Sequence, residues 1–282
     1  MKLHITHKTQ FTYQEPVTDS FNEARLQPTS ADGQICHSYI LKVLPTTRLS
    51  HFLDFYLNYV HFFEVPEPHS TLVVESTSIV TTQPRIHPED ELPAPLKRVQ
   101  ECVQMEQCYD FLQPSSYVSI GPEVWSLSVD ACNQSTDVWQ ASLAIMRFIH
   151  QNFQYTPQAT SVSTHMAEVL QQRRGVCQDF THVMLGMCRS MKIPARYVSG
   201  YLYNDHSGML LGSQASHAWC EVFVPGSGWR ALDPTNNRQI DENFVKVAVG
   251  RDYSDIVPVK GRYKGSTNTE MAVDVNVTRI VC

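Results

Sequence analysis

The protein has 282 residues, and 22 Lys+Arg against 28 Asp+Glu give a net charge of −6. With 42% hydrophobic and 18% charged residues it is not a disordered chain, and its acidic balance argues against nucleic acid, whose binders are usually basic. No stretch approaches the roughly 20 apolar residues of a membrane-spanning helix, and no repeat marks a solenoid or propeller. The length suggests two domains and supports a core without disulfide or metal staples.

The N-terminal run Met1–Glu15 is charged and lacks an apolar h-region, so no secretory signal is expected. Eight cysteines, at positions 36, 102, 108, 132, 177, 188, 220 and 282, are too sparse and irregular for a disulfide framework. Cys102 and Cys108 stand too far apart for a zinc knuckle. These features predict a cytoplasmic protein with free thiols, most of them small buried hydrophobes.

Residues 1–82 read as an antiparallel, sandwich-like β-domain. Leu3, Ile5, Phe11 and Tyr13 share one parity; so do Tyr39, Leu41 and Val43, then Leu53, Phe55, Leu57 and Tyr59, then Leu72, Val74 and Val80. Such alternation belongs to half-buried strands. Residues 83–95 are rich in proline and acid, as in a linker, and 96–282 form the second domain. There, Ser135 or Thr136 is placed to cap a helix beginning near Asp137, with Trp139, Leu143, Met146, Ile149 and Phe153 as its core stripe. A short helix near 165–171 precedes a second clear helix from Cys177, striped by Phe180, Met184, Met187, Cys188 and Met191, which Ile193-Pro194 stops. Strands follow at Arg196–Tyr203, His217–Val224, Trp229–Leu232 and Met271–Val281. Helices followed by antiparallel strands predict an α+β second domain.

Three segments carry chemistry: Gly175-Val-Cys177-Gln-Asp-Phe180, Ser216-His217-Ala-Trp219 and Trp229-Arg-Ala-Leu-Asp233-Pro-Thr235. Cys177 opens a helix, where unpaired N–H groups carry partial positive charge, favour thiolate over thiol and can hold an oxyanion. Gly175 permits close backbone approach. His217 can take the thiol proton and return it to a leaving amine, and Asp233 can orient the imidazole. Strand parity tests this pairing, because a one-residue slip reverses the face of every side chain. A three-residue loop, 225–227, pairs Val224 with Gly228 and puts Asp233 diagonal to His217 on one face. Cys188 lies deep in its helix and is assigned to the core, and helix geometry turns His182 away from Cys177. Gly175, Gln178, Trp219, Tyr197 and Tyr201 are candidate groove residues. The oxyanion candidates are the Cys177 end of the helix and Gln171, with Gln172 equally available. His4 and His7 fall on opposite strand faces and make a poor metal pair; no metal or cofactor motif is present.

These segments, together with Ile193-Pro-Ala-Arg-Tyr-Val-Ser-Gly-Tyr201, resemble the motifs of the transglutaminase-like superfamily in their order and spacing. The resemblance is close over about residues 140–260, and residues 1–82 resemble the β-domain that precedes this core in bacterial members. Asp54–Asn58 departs from the expected Phe/Tyr-Gly-Asn, with Leu57 in place of glycine. The resemblance implies a papain-like core in which a helix carries nucleophile Cys177 and an antiparallel sheet carries general base His217 and orienting Asp233. The family includes cross-linkers, peptidases, amidases and catalytically inactive members. The expected partner is a peptide or protein substrate, with neither nucleic acid nor membrane. The expected reaction is cleavage of a peptide or isopeptide bond through a Cys177 thioester. The alternatives are amine transfer to glutamine side chains and a non-catalytic scaffold.

Overall fold

The alternation of the first segment extends into a strand of 23 residues, β1 (Lys2–Ala24). A computed structural model describes residues 1–84, 93–132, 135–157, 159–204, 210–212, 216–265 and 268–280. The β-domain continues with β2 (Gln34–Leu44), β3 (Leu49–Leu53), β4 (Tyr59–Val65) and β5 (His69–Thr82). These strands lie in the order β2-β5-β1-β4-β3. Along β1 the partner changes from β5 to β4, after Val17 and before Ser20. Acidic Glu89–Glu91 of the expected linker, and Cys282, lie outside the described residues.

The chain then forms α1 (Val99–Val103), α2 (Glu106–Tyr109), α3 (Pro122–Cys132), α4 (Val138–Asn152), β6 (Gln154–Tyr155), α5 (Met166–Gln172), β7 (Arg174–Gly175) and α6 (Cys177–Ser190). It ends with β8 (Ala195–Leu202), β9 (His217–Val224), β10 (Gly228–Asp233), β11 (Arg238–Gln239), β12 (Phe244–Gly250), β13 (Val259–Lys264) and β14 (Thr269–Arg279). A five-stranded sheet has the order β11-β10-β9-β8-β12. One face of β9 (Ala218, Cys220, Val222, Val224) joins α4 and α6 in the main core, while Trp219 packs on the other face with Val198 and Phe244. All of β9 is therefore buried. At Gly200, β8 approaches β12 so closely that a Cβ would lie 2.0 Å from the Val245 carbonyl oxygen, which accounts for the glycine of that motif.

Three expectations need correction. Met271–Val281 was expected among the second domain's strands, yet β14 pairs with β1 from Leu3↔Arg279 to Tyr13↔Thr269, and β13 also joins β1. The period-2 pattern identifies a strand but not its distant partner. Leu53–Tyr59 is not one strand, because Asp54 accepts backbone hydrogen bonds from Tyr56 and Asn58 (3.0 and 2.9 Å) and folds the segment into a turn. Leu57 takes the left-handed conformation (φ 64°) that the missing glycine would occupy. Helix α4 is capped by Asp137 itself, whose carboxylate accepts from the N–H groups of Trp139 and Gln140; Ser135 is occupied in donating to Cys132 O.

Candidate active site

Local chemistry places Cys177 at the first turn of α6. The Asp179 carboxylate accepts a hydrogen bond from Val176 N–H (2.8 Å) and another from the Thr160 hydroxyl (2.5 Å), which fixes the helix entry. Gly175 lies against this carboxylate: a Cβ there would sit 2.6 Å from Asp179 Oδ2. Its role is thus to admit the capping side chain, and it does not line the cavity over Cys177. Burial raises the pKa of Asp179 despite these hydrogen bonds.

The hairpin bringing His217 to Asp233 has the expected register. Gly228 pairs with Val224 and Leu232 with Cys220 across the loop Pro225–Ser227, and Gly228 adopts φ 79°. His217 Nε2 donates to Asp233 Oδ2 at 2.8 Å, with both side chains fully buried. Asp233 also accepts from Thr235 N–H (2.8 Å) and from the Asn236 side chain (2.7 Å). Burial opposes a charged imidazole, but the charge and hydrogen bond of Asp233, together with the neighbouring Cys177, outweigh it and raise His217 to about 10. Burial likewise opposes the Asp233 carboxylate; the attraction of His217 and the surrounding donors overcome this and lower its pKa. The Nδ1 atom is buried without a completed hydrogen bond. It is the nitrogen left for the thiol, since Nε2 is taken by Asp233.

Cys177 and His217 share a cavity of about 310 Å³ with Gln178, Tyr155 and Tyr197. Burial, followed by the nearby Cys177, raises Tyr155 to about 12 and Tyr197 well above its ordinary value. Gln178 donates to Val162 O at 3.0 Å and so ties the preceding loop to the helix.

The other candidates lie elsewhere. Gln171 faces a separate groove between α3 and α5 with Ser119 and Leu127, because α5 runs on to Gln172 and Arg173 then turns the chain through φ 55°; this removes it as an oxyanion donor to Cys177. Trp219 is fully buried under Phe244 (ring centroids 5.5 Å apart). Tyr201 is also buried and bonds to His7 Nδ1 at 3.0 Å. Neither lines the cavity. As expected, His182 and Cys188 are core residues. His182 accepts from Tyr253 N–H (3.2 Å), stacks on Tyr117 and is held by burial at about 3; a hydrogen bond with Cys220, and burial, push the Cys188 thiol well up. Among the described residues no three His, Cys, Asp or Glu side chains gather as metal ligands would, and no helix is long and apolar enough to cross a membrane.

Several residues at the site were not singled out from the sequence. Asn236 bonds both Asp233 and the backbone of Leu211 (2.9 Å from Leu211 N–H, 3.2 Å to its carbonyl). This seats Gly212 (φ 85°) against His217, where a Cβ would lie 2.5 Å from Nδ1. The available signal was an Asn two residues after Asp-Pro, a turn-forming pattern. His7, Thr9, Met271 and Val273 complete the cavity from the first sheet.

Comparison with known proteins identifies two regions of the chain. The transglutaminase-like superfamily matches residues 127–234, and the bacterial transglutaminase-like N-terminal region matches residues 3–81. An uncharacterized protein of Mycobacterium leprae is 34% identical over 286 aligned positions, covering 99% of each chain. A protein-glutamine gamma-glutamyltransferase of Pseudomonas aeruginosa is 36% identical over 132 positions, 43% of this chain and 20% of that one. The crystal structure of a candidate cysteine protease from Cytophaga hutchinsonii superposes with a TM-score of 0.79 at 24% identity, over 100% of this chain and 92% of that one, and shares the fold. With both regions matched in order and a relative aligned end to end, the chain belongs to the transglutaminase-like superfamily and carries its bacterial N-terminal region.

Proposed function

We propose that the protein is a thiol-dependent acyl-transfer enzyme that hydrolyses an amide through a Cys177 thioester. The observation that carries this reading is the buried 2.8 Å His217–Asp233 pair, whose free Nδ1 shares a cavity with a thiol at a helix N-terminus. With the thiol proton carried on Nδ1 of the imidazolium, the sulfur attacks the amide carbonyl carbon. N–H groups of the first turn of α6 stabilise the oxyanion. As the C–N bond breaks, the imidazolium gives its proton to the departing amine and leaves a thioester. Water then adds to the thioester with Nδ1 as base; the C–S bond breaks, the acid departs and the thiol is restored.

Water as the acceptor is supported by the size of the cavity. About 310 Å³ is at the small end of ligand sites, and water requires no second subsite. Amine transfer is the second reading, favoured by the likeness to the Pseudomonas enzyme over 132 positions. Iodoacetamide labelling followed by peptide mapping, with His217→Ala in parallel, tests the shared chemistry. Cys177 is expected to react faster in the native protein than in the variant; equal rates in the two would move the scaffold reading to the front. Incubating a glutamine peptide with a tagged amine then separates the acceptors, since hydrolysis yields glutamate and transfer incorporates the tag.

A further inference from the structure

The cavity over Cys177 does not belong to the catalytic core alone. Its opposite wall comes from the first sheet: His7 and Thr9 of β1, Val259 of β13, and Met271 and Val273 of β14. The register explains why these residues act together. Thr9 pairs with Val273 and Phe11 with Met271, so alternate residues of two adjacent strands look from one sheet face towards the thiol. Met271 and Val273 are 56% and 41% exposed, large apolar side chains left uncovered beside a reactive group. The polar residues behind them are already satisfied. His7 Nε2 bonds Thr9 Oγ1 at 3.0 Å, its Nδ1 bonds the Tyr201 hydroxyl at 3.0 Å, and both His7 and Thr9 are buried. Burial holds His7 near 4 against the opposing pull of Asp274, so it is neutral at pH 7. The wall therefore offers apolar surface and no formal charge, and a charged group pressed against it would lose hydration without gaining a partner.

We propose that the first sheet is the specificity wall of the enzyme, and that Met271 and Val273 select acyl donors with an uncharged apolar side chain beside the reacting carbonyl. This rests on the acyl-transfer reading above and assigns it a substrate class. The β-domain is then half of the active site, which gives a functional reason for the return of β13 and β14 to a sheet begun at the N-terminus.

The test uses the full chain and peptidyl chloromethyl ketones that differ only in the side chain next to the ketone: Leu, Asp or Lys. Each rate of Cys177 labelling is divided by the iodoacetamide rate of the same protein, because iodoacetamide has no side chain and reports on the thiol alone. The native protein is expected to favour the Leu probe by about 10-fold or more, the scale of an apolar pocket contact. Val273→Lys and Met271→Lys should erase that preference and raise the normalised rate of the Asp probe, a gain that misfolding cannot produce. If iodoacetamide labelling of Cys177 is fast and His217-dependent, but the native protein does not discriminate or both Lys variants keep the native order, the wall assignment is wrong and the acyl-transfer reading stands. If iodoacetamide labelling shows no activated thiol, the acyl-transfer reading fails first.

Discussion

Two histidines face one cavity from its two walls, equally buried and in opposite states. His7 on β1 and His217 on β9 are each 1% exposed. His7 has neutral partners, Thr9 and Tyr201, and burial lowers it to about 4. His217 is opposed by the same burial but faces Asp233, and rises to about 10. Burial thus sets the neutral state of His7, and the charge of Asp233 overrides the same burial at His217. The cavity is left with a charged, proton-handling wall opposite a neutral, apolar one, a division suited to chemistry on one side and recognition on the other.

The largest predicted effect erases this difference. Asp233→Asn removes the charge that opposes burial most strongly at His217 and leaves Cys177 as the remaining group that raises it, so its pKa should fall towards that of His7. Steady-state hydrolysis should drop by about 10⁴-fold, the scale seen when the orienting carboxylate of a triad becomes an amide. Labelling of Cys177 across pH 4–9 should slow relative to the native protein at the same time. Native-like labelling in this variant would mean that the pair is structural.

The two histidines should also give stability opposite slopes with pH. The folded pKa of His7 lies below its unfolded value of 6.5, so the unfolded chain binds the proton first and stability is lost as pH falls from about 6.5 towards 4. Two to three pKa units correspond to on the order of 3 kcal/mol. The folded pKa of His217 is raised, so its contribution is complete below about 6.5 and is lost as pH rises towards about 10. Urea unfolding from pH 4 to 10 should show both limbs. His7→Gln should flatten the acid limb in part, since buried His182, held at about 3, loads the same side.

A smaller effect concerns how the charged wall is held. Asn236 donates to Asp233 and grips Leu211, so it acts through other residues and is a positioning residue. Asn236→Ala should lower kcat by about 10-fold through misplacement of His217 while KM changes little. The lost hydrogen bond no longer favours the carboxylate, so the acid limb of the pH–rate profile should move to higher pH. A fall in Tm with an unmoved profile would assign Asn236 to stability alone.

The charged wall was largely legible in the sequence and the neutral one was not. Cys177, His217 and Asp233 are positioned by a helix start and one hairpin, where a three-residue loop and strand parity fix the geometry within 17 residues of chain. Trp219 shares the parity of His217, but parity does not reveal that Phe244, from a strand that was not foreseen, closes over it. His7 and Val273 reach the cavity through pairing of β1 with a strand at the other end of the chain. Alternation carries no information about that partner, which is also why the last strand was expected in the wrong sheet.

The smallest predicted effect lies in the β-domain, at the Asp54–Asn58 turn. Leu57 holds φ 64° with its side chain 72% exposed, so it accepts left-handed strain without packing in return. That conformation costs a non-glycine residue about 1–2 kcal/mol, whereas glycine adds roughly 0.5–1 kcal/mol of unfolded-state entropy. Leu57→Gly should therefore stabilise the protein by about 0.5–1 kcal/mol, read as a rise in urea midpoint at constant slope. The turn is anchored by Asn58, which exchanges two 2.8 Å hydrogen bonds with the backbone of Val249 in β12, and these do not depend on the side chain at 57. Cys177 labelling should be unchanged. Altered labelling in Leu57→Gly would mean that the turn reaches the charged wall through β12, and the two walls would no longer be independent.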